Sequence, residues 1–110
     1  MQLLLNTLLN VRSTMSDLKE IYCDLNARMT ENGYSLERRG SVNDLERVGL
    51  TLELALGMKF RFYMDDLDKH GKPDDIMFEG IVIHDSEFGY LAKQQSEVFW
   101  RSDISDFENI

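Results

Sequence analysis

The sequence predicts an α+β fold: an N-terminal helix, one long or two short, packed on a bent antiparallel sheet or small barrel of about four strands. Three observations carry that expectation. Apolar side chains recur at helical spacing over residues 1–29, they alternate with period two over residues 50–64, and short apolar runs separated by turn residues fill the remainder. At 110 residues the chain is expected to form a single domain. Residues 1–33 read as its helical segment, 34–49 as a connector with a short helix, and 50–110 as an antiparallel β meander.

The helical reading rests on Met1, Leu4, Leu8, Val11, Met15, Leu18, Tyr22, Leu25 and Met29, whose spacings alternate between three and four. Ser16 is a candidate cap if the segment breaks at Ser13-Thr14, and Asn32-Gly33 supplies a stop. The seam has two uses: packing on its own domain, or joining two copies through Leu4, Leu8, Val11, Met15 and Leu18. Flanking positions such as Arg12, Lys19 and Arg28 are basic with no acidic counterparts, so a parallel homodimer gains no interhelical salt bridges. Packing on the domain is the preferred use. Cys23 falls off this seam and is expected at a secondary or exposed face.

In the connector, Ser41 reads as a helix N-cap with Asp44 near the positive helix end. From Leu50 to Met64 every even position is apolar. Fifteen residues would extend about 50 Å as one strand, so Gly57 is the expected break. Leu45, Val48, Leu52 and Leu56 also fit helical spacing, which leaves 42–56 readable as helix or strand. Met58–Met64 is a strand. Ile76–His84 is a second, with a bulge at Gly80, followed by a turn over Asp85–Gly89. Tyr90–Lys93 and Val98–Arg101 complete the set, and the acidic tail adds a closing turn.

Strand lengths and a long acidic first hairpin loop over residues 57–104 resemble small SH3-like barrels. That resemblance implies a closed barrel for this part of the chain and carries no specific motif.

Charge bounds the function. The net charge is −8, with seven basic and eight acidic side chains in residues 1–60 against five and twelve in residues 61–110. The acidic second half repels a phosphate backbone or an anionic membrane and attracts a basic protein or a cation. The doublet Arg38-Arg39 is too small for a nucleic-acid patch. One cysteine excludes an intramolecular disulfide. The apolar start lacks a basic flank and a bilayer-spanning length, so a cytoplasmic location is expected.

The loop Asp65–Asp75 holds five of the twenty carboxylates. Asp66, Asp68 and Asp74 stand at spacings used for calcium, with His70 and Gly71 between them. The twelfth position, which needs a bidentate Glu, is Met77, and a nitrogen ligand suits hard cations poorly. The same residues make a solvated turn: Gly71 allows positive φ, Pro73 fixes φ, and Asp side chains bond turn amides. His70, His84 and Cys23 do not form a zinc pattern. Cys23 lacks an activating cation free of nearby acids, no nucleophile elbow or phosphate loop occurs, and Asp74-Asp75 lie in a polar loop that does not separate their acidities.

No catalytic residues and no cofactor are therefore expected. The sequence reads as a non-catalytic, acidic protein-interaction module, of the kind that inhibits a partner or confers immunity by masking its basic site. Asp66, Asp68, Asp74 and Asp75 supply the charge, and Trp100 or its neighbour Phe99 the apolar anchor, since adjacent strand residues face opposite sides. A calcium module using loop 65–75 and a homo-oligomer using the helical seam are the alternatives.

Overall fold

The computed structural model describes residues 18–108. They form a six-stranded mixed sheet that stays open, with three short helices. The strands are β1 (Glu20–Tyr22), β2 (Gly33–Ser35), β3 (Lys59–Met64), β4 (Ile76–Asp85), β5 (Gly89–Gln94) and β6 (Phe99–Trp100). The helices are α1 (Arg39–Arg47), α2 (Leu52–Ala55) and α3 (Arg101–Glu108). The order across the sheet is β1-β3-β4-β5-β2, and β6 pairs with β4 beyond the end of β5. β1 runs parallel to β3 and the other pairs are antiparallel.

This overturns the expected class, since six strands in a mixed sheet replace the four or so antiparallel ones expected. A continuous helix through residue 29 is replaced by β1 and a turn, and the sheet does not close into a barrel. Leu4, Leu8, Val11 and Met15 of the proposed seam lie outside the described residues. Within the described part the seam is not the buried face: Met29 is 37% exposed, whereas Ile21 and Cys23 are fully buried. That is the period of a strand, and Cys23, expected toward the surface, belongs to the core.

One sheet face makes that core. Register places Ile21, Phe62 and Phe78 in one row and Phe60 beside Gly80 in the next. The Phe62 and Phe78 rings lie 5.3 Å apart between centroids, and Phe60 meets Phe62 edge-on at 5.9 Å. Leu36, Leu45 of α1 and Ala55 of α2 close over them. Gly80 is not bulged, because β4 keeps unbroken register with β3 from Ile76 to Ile81. The irregularity lies across from it, where the amides of Gln95 and Ser96 both reach the Glu79 carbonyl, at 2.8 and 3.2 Å.

Helix α1 starts earlier than Ser41 and is not capped by it. Arg38 precedes the helix without a side-chain cap, and Ser41 and Asp44 instead serve the open edge of β1. The Ser41 hydroxyl donates to the Tyr22 carbonyl at 2.5 Å, and the Tyr22 amide donates to Asp44 Oδ2 at 2.9 Å. An edge strand with free amides invites pairing with another chain, and here two helix side chains take that role. Gly40 permits the approach, since a Cβ there would sit 2.7 Å from the Tyr22 ring. Leu52–Ala55 resolves as helix rather than strand, its first turn capped by Thr51 Oγ1, which accepts the Leu54 amide at 3.2 Å.

Strands β3 to β5 stand where the sequence predicts them, and β6 is shorter than the expected Val98–Arg101 because Arg101 already begins α3. The β4–β5 turn is made by Asp85, whose Oδ1 accepts the Glu87 and Phe88 amides at 2.8 and 3.0 Å, and by Gly89 at φ +79°. These two bonds, Phe88 first, hold the Asp85 carboxyl below its ordinary range. The tail is helix α3, not a closing turn. No helix among the described residues is long and apolar enough to cross a membrane.

Candidate functional site

The face opposite the core carries the polar geometry. Register sets Glu20 beside Arg61 and Tyr22 beside Tyr63, and Tyr63 in turn opposite Met77. Phe99 pairs with Met77 on this face, while Trp100 pairs with Ile76 on the other and remains 36% exposed. The two neighbours thus point to opposite sides, and Trp100 is the exposed one.

The hairpin 65–75 is folded on itself. The Asp68 amide donates to the Lys72 carbonyl at 2.8 Å, and the Asp74 amide to the Asp66 carbonyl at 3.0 Å. Asp68 Oδ1 accepts the His70 and Lys72 amides at 2.8 and 3.0 Å, and Asp66 Oδ1 accepts the Leu67 amide at 2.7 Å. Gly71 turns the tip at φ +79°. These are the side-chain turns that Asp favours in loops. Among the described residues no three or more His, Cys, Asp and Glu side chains gather as a metal site.

Asp74 and Asp75 reach outward from the hairpin to the start of α3. Asp74 accepts the Ser102 amide at 3.1 Å and the Ser102 hydroxyl at 2.7 Å. Arg101 donates from Nε to Asp75 Oδ2 at 2.7 Å. Its amide also donates to the Asp75 carbonyl at 2.9 Å, extending the β4–β6 ladder by one step. Asp103 Oδ2 closes the helix start by accepting the Trp100 amide at 3.0 Å. The first turn of α3 is therefore capped half from within and half by a loop 28 residues away.

Arg101 joins two clefts. The first, of about 480 Å³, is lined by Asp68, Lys72, Pro73, Asp74, Asp75, Arg101 and Ser102. The second, of about 390 Å³, lies between Glu20, Asp44, Arg47, Val48, Tyr63, Asp75 and Arg101. Arg101 Nη2 and Nη1 donate to Glu20 at 2.8 and 3.0 Å, and the guanidinium carbon stands 5.7 Å from the Tyr63 ring centroid. The hydrogen bond to Glu20, opposed by desolvation and reinforced by Asp75, raises the guanidinium above its ordinary pKa. Burial first, then the bond to Asp44 at 2.7 Å, pushes the Tyr63 phenol up to about 12.

Of the residues the sequence singles out, Asp68, Asp74 and Asp75 line one cleft, and Trp100 immediately precedes its Arg101 and Ser102. Asp66 stays on the exposed hairpin. Cys23 is buried, and burial pushes its thiol up to about 12. Arg101, Glu20, Tyr63 and Asp44 were missed. Arg101 reads locally as the end of a strand, and its partner Glu20 lies 81 residues earlier, beyond any spacing signal. The one legible hint is Ser102-Asp103 after the aromatic pair, a helix-start composition. Comparison with family models, curated proteins and solved structures gives no match to this chain.

Proposed function

We propose that this chain is a small, acidic, non-catalytic interaction module acting in the cytoplasm, and that it inhibits or neutralises a partner protein by masking a basic site. The observation that carries the reading is the tie between Asp74–Asp75 and Ser102–Arg101, which fixes the acidic hairpin beside the exposed Trp100. A charged loop held in one geometry loses less freedom on association than a free one, and an exposed Trp beside it supplies an apolar anchor. Asp66 and Asp68 present charge at the hairpin, while Asp74 and Asp75 hold its position. The charge steers a basic partner, and Trp100 slows its release.

The test is a binding titration of the intact chain against cationic nucleases at two salt concentrations. Binding that weakens with salt, falls in the Asp66→Asn/Asp68→Asn variant, and falls about tenfold or more in Trp100→Ala supports the reading. Binding that ignores all three refutes it.

A further inference from the structure

The second cleft holds the side chain that also ties the acidic hairpin to α3, Arg101. The Arg101 guanidinium is gripped on two edges by Glu20 and Asp75 and lies over the Tyr63 ring. A planar fork of donors between two carboxylates, with an aromatic face beneath it, is how proteins select arginine over lysine. The bound guanidinium, rather than the carboxylates alone, marks that preference.

The cradle is built without Arg101. Glu20 belongs to β1, Tyr63 to β3, and Asp75 stands one residue ahead of β4, so three paired strands set the spacing. Arg101 is anchored separately through its main chain, by the 2.9 Å bond from its amide to the Asp75 carbonyl. Its side chain can leave by rotating about its own bonds, with no strand unpaired. It is 37% exposed, and Glu20 is 35% exposed, so solvent screens the pairs and lowers the cost of exchange. The adjoining cleft of about 390 Å³ provides the way in, past Val48 and Arg47.

We propose that Glu20, Tyr63 and Asp75 form an arginine-binding site that Arg101 fills in cis and that an arginine of the partner protein takes over on docking. The identity of the incoming group rests on the reading that the partner is basic. The incoming guanidinium replaces the departing one bond for bond, and Arg101, released, keeps its charge toward solvent.

The experiment uses the full chain with Arg101→Ala, titrated with N-acetyl-arginine amide, its lysine counterpart, and sodium chloride at matched ionic strength. Thermal unfolding and Trp100 fluorescence report binding. The expected result is saturable stabilisation by the arginine compound, about tenfold tighter than by the lysine one. Wild type should bind it at least about tenfold more weakly, because Arg101 competes. Adding Glu20→Gln should erase the difference between the two compounds. Equal responses to arginine, lysine and salt overturn the proposal. If Arg101→Ala does not fold, Arg101→Lys is titrated instead, since one ammonium replaces the guanidinium fork poorly, and the same outcomes decide. Asp66→Asn/Asp68→Asn and Trp100→Ala leave the cradle intact. A cradle without arginine preference, in a chain that still binds cationic proteins through those residues, defeats this inference alone.

Discussion

Tyr63 donates its phenol proton to Asp44 at 2.7 Å, and the same carboxylate oxygen accepts the Tyr22 amide at 2.9 Å. One buried oxygen thus joins helix α1 to two neighbouring strands, and Asp44 is only 7% exposed. Arg47 also reaches Asp44, at 3.0 Å, but its side chain is 76% exposed and adds little.

Removing that acceptor strands two donors. Asp44→Ala is expected to destabilise the fold by about 2–3 kcal/mol, and Tyr63→Phe by about 1 kcal/mol. The two are coupled, so the double variant should cost less than the sum. Urea unfolding of the four proteins measures the cycle. Strict additivity would mean that the Tyr63 bond contributes nothing.

Strands β3, β4 and β5 were legible because each is long enough to show its period and is bounded by turn residues. Phe60, Phe62, Phe78 and Val82 occupy the core face that the alternation assigns to them. β1 was hidden by its length. Three residues cannot establish a period of two, and the seam through Leu18, Tyr22, Leu25 and Met29 offered a longer helical pattern. The buried pair Ile21 and Cys23 carried the true signal, and the helical reading put Cys23 off its seam. Ser41 and Asp44 look like helix-start residues by composition. Tertiary structure turned both toward the β1 edge instead. The hairpin of the candidate site was visible in sequence as a carboxylate cluster. Its anchoring by Arg101 and Ser102 was not, because that anchoring exists only once β6 pairs with β4.

Alkali should weaken the fold. The Cys23 thiol moves from 9.0 to about 12 and the Tyr63 phenol from 10.0 to about 12, in both cases chiefly through burial. Both are acids that the folded chain keeps protonated while the unfolded chain releases the proton. Stability is therefore fully present below about pH 9 and is lost as pH rises through 12. For Cys23 alone the loss is of order 2 kcal/mol by pH 11. Denaturant midpoints at pH 8, 9.5 and 11 test this, and Cys23→Ala should flatten the first part of the decline. A midpoint constant across that range would contradict the burial of both groups.

Gly80 lies in the middle of β4 with ordinary extended geometry, so its need for glycine is one of space. An added Cβ would collide with the Lys93 carbonyl oxygen and stand 3.1 Å from the Phe78 ring. The colliding atom is backbone in a paired strand and cannot swing away. Gly80→Ala is expected to cost about 1–3 kcal/mol. Gly71→Ala meets no atom of the described residues within 4 Å and is strained by φ +79° at an exposed turn, so its cost should be about 1 kcal/mol. Thermal unfolding of the pair separates crowding from backbone strain; equal costs would remove the crowding argument.

Asp74 caps α3 from outside the helix, which predicts a local effect. Asp74→Ala takes away the acceptor of both the Ser102 amide and the Ser102 hydroxyl, worth about 1 kcal/mol by analogy with N-caps. Little of that should appear in global unfolding, because α3 lies outside the sheet and can fray while the strands hold. Hydrogen exchange in the peptide from residue 101 onward should quicken, and exchange in β3 and β4 should not. Asp74→Asn keeps an acceptor and should restore most of the protection. Asp66→Asn is the control, since among the described residues Asp66 Oδ1 serves only the adjacent Leu67 amide, and the change should leave α3 as it is. Equal quickening by Asp66→Asn would trace the effect to loop charge rather than to the cap, and would remove the tie on which a held acidic surface beside Trp100 depends.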